Sequence, residues 1–188
     1  TAVGGCGAGG STGPRPQSRA ANAAARRLLA PGLTQLPTPP PTGTPANRDA
    51  VRVIRAWSSA LRAGRVRIAA SYFSLPSELI NGVGASGAAA LVRITTPAQA
   101  AAANGTLPCG ATFVSADQRG RYVNALFRLT GRSGPGGDST CGANAGQTAR
   151  TNFLIVDGRI VEWIRAPDDP GDNGSPSRPP GSGGAPLV

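Results

Sequence analysis

The sequence predicts an α+β domain, and three observations predict it. Within Asn47 to Gly82, Val51, Ile54, Trp57 and Leu61 recur at helical spacing and mark one apolar face of an amphipathic helix. Further on, Val123, Ala125, Phe127 and Leu129 alternate with more polar residues, the period of a half-buried strand. Finally, Asp157-Gly158 stands between two β-rich runs, the strongest short-range hairpin signal in the chain. Helices come first and antiparallel strands follow, the order of an α+β arrangement and not of alternating βαβ units.

Taken in order, Thr44-Pro45 or Asn47 caps the first helix, since Thr and Asn accept a backbone N–H and Pro suits the first helical position. Arg48, Arg52, Arg55 and Arg62 fall on the side away from the apolar stripe and form a basic outer face. Ala63-Gly64 stops the helix, and Val66, Ala69 and Phe73 resume the spacing over a shorter second helix that Pro76 ends. Ser77 to Asn81 and Ala90 to Ile94 read as short strands around a Gly-rich loop. Thr96-Pro97 opens an Ala-rich helix that closes at Asn104-Gly105. Ala111 to Ala116, Arg121 to Thr130, Thr148 to Val156 and Arg159 to Arg165 are the four antiparallel strands.

Composition bounds the folded part. The chain has 188 residues with 27 Gly and 18 Pro, concentrated towards its ends. Three segments are expected: a Pro/Gly/Ala-rich tether over residues 1–46, an α+β domain over 47–166, and a disordered Pro/Gly/Ser tail over 167–188. Every basic residue is Arg, and the formal net charge is +10. The tether carries four Arg and no acid, the middle fourteen Arg and six acids, the tail one Arg and three Asp. Such a balance favours anionic partners. The Arg are not interleaved with aromatic residues, however, so nucleic-acid binding is not expected.

The three cysteines divide into two jobs. Cys109 sits just before one predicted strand and Cys141 in the loop after the next. If those strands pair antiparallel, both cysteines reach the same edge of the sheet and can form a disulfide. That bond would close a loop of about thirty residues and add on the order of 3 kcal/mol. It implies an oxidising, extracytoplasmic compartment. The odd cysteine, Cys6, ends Val3-Gly4-Gly5-Cys6, which resembles a bacterial lipobox. That resemblance implies cleavage from a precursor and a lipid anchor to the cell membrane at Cys6. The Pro-rich spacer after it would hold the domain tens of ångströms from the membrane. Within it, Arg26-Arg27-Leu28-Leu29 could touch anionic head groups.

AWSSALRAGRVRIAASYF, with its aromatic-bearing helix and Gly corner, and VDGRIVEW at the last hairpin resemble the nuclear-transport-factor-2-like (NTF2-like, or SnoaL-like) superfamily. The resemblance covers about residues 47–166. It implies a cone-shaped fold in which two to three N-terminal helices pack on a curved, mostly antiparallel sheet. YFSLPSELING, LPCGA and GRYVNALFRLTGRSGPGG look like an uncharacterised branch of actinobacterial secreted or lipoprotein sequences. Since the superfamily includes enzymes, ligand-binding domains and assembly modules, fold alone does not choose among them.

The residues narrow the choice. The chain has no His, which excludes Ser/His/Asp and Cys/His catalysis and leaves no ordinary zinc set. GRSGPGG lacks the Lys and following helix of a phosphate loop, and no cofactor is implied. In a hairpin turning at Asp157-Gly158, Phe153, Ile155, Ile160, Glu162 and Ile164 are expected on one face, with Leu154, Val156, Val161 and Trp163 on the other. If the first face lined the cone, buried Glu162 would be the one candidate acid or base. The leading expectation is a non-catalytic, membrane-anchored binding domain for a small apolar ligand or a protein partner. Trp57, Tyr72, Phe73, Phe127 and Phe153 would line the cone, with Glu162 as the polar contact. The alternatives are an isomerase- or hydrolase-like enzyme using Glu162, and a homodimeric envelope-assembly module using an outer sheet face with Trp163.

Overall fold

The computed structural model describes residues 32–34, 39–40, 42–83, 89–134 and 141–172. Cys6, Arg26 to Leu29 and the tail beyond Asp172 lie outside the described residues. Two short strands, β1 (Gly32–Thr34) and β2 (Thr44–Pro45), precede helices α1 (Arg48–Arg62) and α2 (Val66–Ala70). Then come β3 (Phe73–Val83), β4 (Ala89–Ile94), α3 (Pro97–Thr106), β5 (Gly110–Arg119) and β6 (Tyr122–Thr130). A single 3-10 turn at Gly142–Asn144 leads into β7 (Thr148–Val156) and β8 (Arg159–Ala166). The sheet runs β1-β4-β3-β8-β7-β6-β5-β2. Only β3 and β8 are parallel; the other neighbours are antiparallel. The architecture is therefore α+β, with the sheet curled against the helices.

Local chemistry explains the elements. Asn47 caps α1, its Oδ1 accepting from the backbone N–H groups of Asp49 at 2.8 Å and Ala50 at 3.2 Å. At the corner after α1, Gly64 has φ 71°, and a Cβ there would collide with the Ser133 carbonyl. Thr96 and Gln99 form a reciprocal capping box on α3. The hairpin turn has positive φ at both Asp157 and Gly158, 49° and 70°, as a tight two-residue hairpin requires. Cys109 and Cys141 are bonded, with Cα atoms 4.7 Å apart.

Three boundaries differ from expectation. Helix α2 ends at Ala70, and the chain is already extended from Phe73, so Pro76 lies within β3 instead of ending a helix. The ladder between β3 and β8 is interrupted between Phe73 and Glu78, which places Pro76 where no ladder hydrogen bond is lost. Residues assigned to the tether add edge strands: β1 pairs with β4, and β2 with β5. Beyond residue 166, the turn at Pro167–Asp172 is held by ion pairs from Arg119, Arg150 and Arg165, so three Asp expected in a disordered tail are fixed against the domain.

One face of the sheet packs on α1 and α3. Ile54, Trp57, Leu61, Ala103, Ala125, Phe127, Phe153 and Trp163 meet there, all nearly or fully buried. Trp57 is the hub, with ring centroids 5.5 Å from Phe153, 6.1 Å from Phe127 and 6.3 Å from Trp163. Its indole N–H donates to Asn104 Oδ1 at 2.8 Å, and Asn104 Nδ2 donates to the Ala100 carbonyl at 2.9 Å, so this buried polar pair is satisfied. On the opposite face a smaller apolar group, Ile80, Ala89, Tyr122 and Ile164, is buried separately.

Candidate functional site

Between α1 and the curved sheet lies a cavity of about 310 Å³. Trp57, Phe127 and Trp163 supply aromatic wall, and Asn81, Gln147 and Thr151 supply neutral polar groups. Strand alternation puts these side chains there: Ala149 and Thr151 on β7 point to the same side as Phe153, while Arg150 and Asn152 point away. Cys109 lines the cavity, so the disulfide holds part of its rim. Arg165 and Asp168 are also at this rim; they form an ion pair at 3.3 Å, and Asp168 Oδ1 accepts from the Arg150 backbone N–H.

Trp163 is 5% exposed, and its Nε1–H has no acceptor among the described residues. An unpaired buried donor of this kind costs roughly 1–3 kcal/mol. Ser77 Oγ and Thr130 Oγ1 are also buried and unpaired, but neither residue lines the cavity. Trp163 thus contributes both part of the wall of this open-mouthed cavity and a buried indole N–H that has no acceptor among the described residues.

A sheet curled around an aromatic-bearing helix pair, with a cavity between them, is the cone that the sequence resemblance implied. The α+β order and the curled, mostly antiparallel sheet agree with the NTF2-like fold that the resemblance implied. No protein-family model matches the chain, and no curated protein matches it. Among solved structures, the chain is similar to a SnoaL-like protein of unknown function from Burkholderia thailandensis, with 17% identity and a TM-score of 0.46 over 65% of this chain and 98% of that one. It is similar to an NTF2-like protein of unknown function from Mesorhizobium loti, at 15% identity and a TM-score of 0.44 over 66% of this chain and 97% of that one. A further likeness is to a protein with a ketosteroid isomerase-like fold from Catenulispora acidiphila, solved in complex with trimethylamine, at 14% identity and a TM-score of 0.42 over 66% and 94% of the two chains.

The residues singled out from sequence separate into four environments. Trp57 and Phe127 line the cone cavity. Phe153 is fully buried behind them, and Tyr72 is half-buried against the same core. Phe73 is buried and borders a different concavity, on the outside of α2 and α3.

Glu162 is on the far face of the sheet. Its expected position beside Phe153 is overturned by a bulge: Ile155 pairs with Ile160 but Leu154 pairs with Glu162, so the register slips by one residue at Val161. Phe153 consequently pairs with Trp163, and Trp163 turns inward where an outward position was expected. On the outer face Glu162 accepts from Arg121 Nη2 at 2.6 Å and from the Tyr122 hydroxyl at 2.8 Å. Arg121 also donates to the Tyr122 oxygen at 2.8 Å. The Tyr122 phenol is raised above its ordinary pKa, chiefly by burial. The Arg121 guanidinium is held above its ordinary value, first by its bond to Tyr122 and then by the Glu162 charge.

Trp163, Asn81, Gln147 and Thr151 were missed as site residues. Period-two counting along β8 would have found Trp163 had the bulge been known. Asn81 and Gln147 reach the cavity only through the tertiary fold, which brings β3 and the start of β7 together with α1.

Proposed function

We propose that the domain is a binding module of an extracytoplasmic, membrane-anchored lipoprotein. Its cone takes a small, largely apolar ligand bearing one hydrogen-bond acceptor. The observation that carries this reading is the Trp163 indole N–H, buried without a partner in the wall of a cavity of about 310 Å³. That volume lies at the small end of the ~300–1,000 Å³ range of ligand sites, and its aromatic wall with a few neutral polar groups is their usual make-up. A ligand oxygen seated there supplies the missing acceptor. That bond is specific, because a ligand without an acceptor leaves the donor unpaired.

Binding is favoured over catalysis because the only acid singled out for chemistry, Glu162, is engaged by Arg121 and Tyr122 on the other side of the sheet. The Cys109–Cys141 bond supports an oxidising compartment, and anchoring rests on the lipobox resemblance at Cys6. The test uses two probes of matched shape, the bicyclic ketone β-tetralone and its hydrocarbon parent tetralin. β-Tetralone binds about fivefold more tightly, the worth of one hydrogen bond, and Trp163→Phe abolishes that preference. Equal binding of both by the native protein, or binding of neither, contradicts the reading. Native mass spectrometry of protein taken from its own membranes reports the acyl group on Cys6; an unmodified thiol there contradicts the anchor.

A further inference from the structure

A second concavity, of about 630 Å³, opens on the outside of the domain where α2, α3 and the start of β3 meet. Its floor is apolar: Ala70, Phe73, Leu75, Pro97 and Ala101. Two guanidiniums stand at its walls, Arg67 from α2 and Arg159 from the β7–β8 hairpin, and no carboxylate lines it among the described residues. Arg159 donates to the Ser71 carbonyl, which fixes its stem over the groove while leaving its other N–H groups available. Arg65 and Arg67 have no carboxylate partner among the described residues, whereas Arg52, on the far half of α1, is paired with Asp49.

The same end of the molecule exposes aliphatic side chains. Leu75, in the groove, is 45% exposed, and Ile68, next to Arg67 on α2, is 47% exposed. Single exposed apolar residues are ordinary, but here two of the four large ones among the described residues lie beside guanidiniums that no described carboxylate pairs, next to an apolar trough. Aliphatic tips flanked by cations, with no anion between them, match a lipid interface: hydrocarbon enters the acyl boundary while guanidiniums meet phosphate. An acidic protein surface would satisfy the charges but leave the aliphatic tips and trough unfilled.

We infer that this groove face, carrying Arg65, Arg67, Ile68, Leu75 and Arg159, docks on an anionic lipid bilayer. The inference is independent of the cone's ligand and of acylation. Docking would lay α2 against the membrane, and the groove shares no lining residue with the cone cavity.

The experiment uses the full chain with Cys6→Ser, so that no acyl chain holds it, in co-sedimentation with phosphatidylglycerol-containing or pure phosphatidylcholine vesicles. Binding is expected to the anionic vesicles and to weaken with salt. Arg67→Gln with Arg159→Gln lowers affinity about 30-fold, at roughly fivefold per cation near the surface. Arg48→Gln with Arg52→Gln removes the same charge from the far half of α1 and changes affinity less than threefold. Ile68→Ser, at an exposed position and with an unchanged melting temperature, lowers it severalfold. Equal losses from the two Arg pairs reduce the effect to net charge and overturn the inference. So does an unchanged affinity of Ile68→Ser, equal binding to both vesicle types, or uptake of monomeric decanoate without vesicle binding.

Discussion

On the outer face of the sheet, Arg150 donates to both oxygens of Asp172, at 2.6 and 2.9 Å, and to Asn124, which in turn donates to Asn152 at 2.7 Å. Beside them Arg119 joins Asp117 and Asp169, each at 2.6 Å. On the inner face the Trp57 indole has its partner in Asn104, while that of Trp163, with ring centroids 6.3 Å apart in the same aromatic cluster, has none among the described residues. The outer groups hold the turn at residues 167–172 on the sheet, a structural task that satisfied pairs perform well. The inner orphan makes no such bond in the isolated chain, and under the proposed function its partner is the ligand. Comparing the faces therefore separates polar groups that build the fold from a buried donor with no partner among the described residues, the anchor proposed for the ligand.

The largest effect expected comes from breaking the rim that joins the faces. Cys141→Ser should lower stability by on the order of 3 kcal/mol in chemical denaturation. A loss below about 1 kcal/mol would show that the loop is held by other means. Trp57→Phe comes next, at about 2 kcal/mol, because it leaves Asn104 Oδ1 buried without its donor. Trp163→Phe loses ring area but no hydrogen bond, so its melting temperature should fall less than that of Trp57→Phe. The reverse order would erase the distinction between the two indoles.

On the outer face the test is pH. The bond from Arg150 holds the Asp172 carboxyl below its ordinary value of 3.8. The stability it contributes is fully present above that value and is lost as pH falls through the lowered, folded one. Asp172→Asn should cost about 1 kcal/mol near neutrality, and its melting temperature should fall less steeply between pH 4 and pH 2. Parallel acid profiles for variant and native protein would remove the carboxylate from the account. The smallest effect expected is that of Glu162→Gln, below about 1 kcal/mol in stability, with β-tetralone affinity unchanged. A large loss of affinity would bring Glu162 back to the site.

What was legible in the sequence was what local chemistry dictates. Asn47, the Ile54–Trp57–Leu61 stripe, Thr96-Pro97 and Asp157-Gly158 each act within a few residues of themselves, and each is found where its pattern placed it. The Cys109–Cys141 bond followed from antiparallel pairing of two neighbouring strands, itself a short-range inference. The candidate site was harder. A single bulge at Val161 exchanged the faces of Glu162 and Trp163, because strand periodicity cannot tolerate one extra residue. Pro76 signalled a helix end but sits inside β3 at a break in the ladder, a context set by β8 over eighty residues away. Asp169 and Asp172, read as part of a tail, gain their order from Arg119 and Arg150 on distant strands.

The chain contains two tryptophans, which gives the central claim an internal control. In a proton–nitrogen correlation spectrum of the labelled protein, β-tetralone should move the Trp163 indole N–H resonance downfield and slow its exchange with solvent. The Trp57 indole, already bonded to Asn104, should keep its hydrogen-bonded shift. Tetralin should produce no such downfield movement. A Trp163 resonance that β-tetralone leaves in place at saturation, or that tetralin moves equally, would contradict the assignment of this N–H as the ligand's anchor.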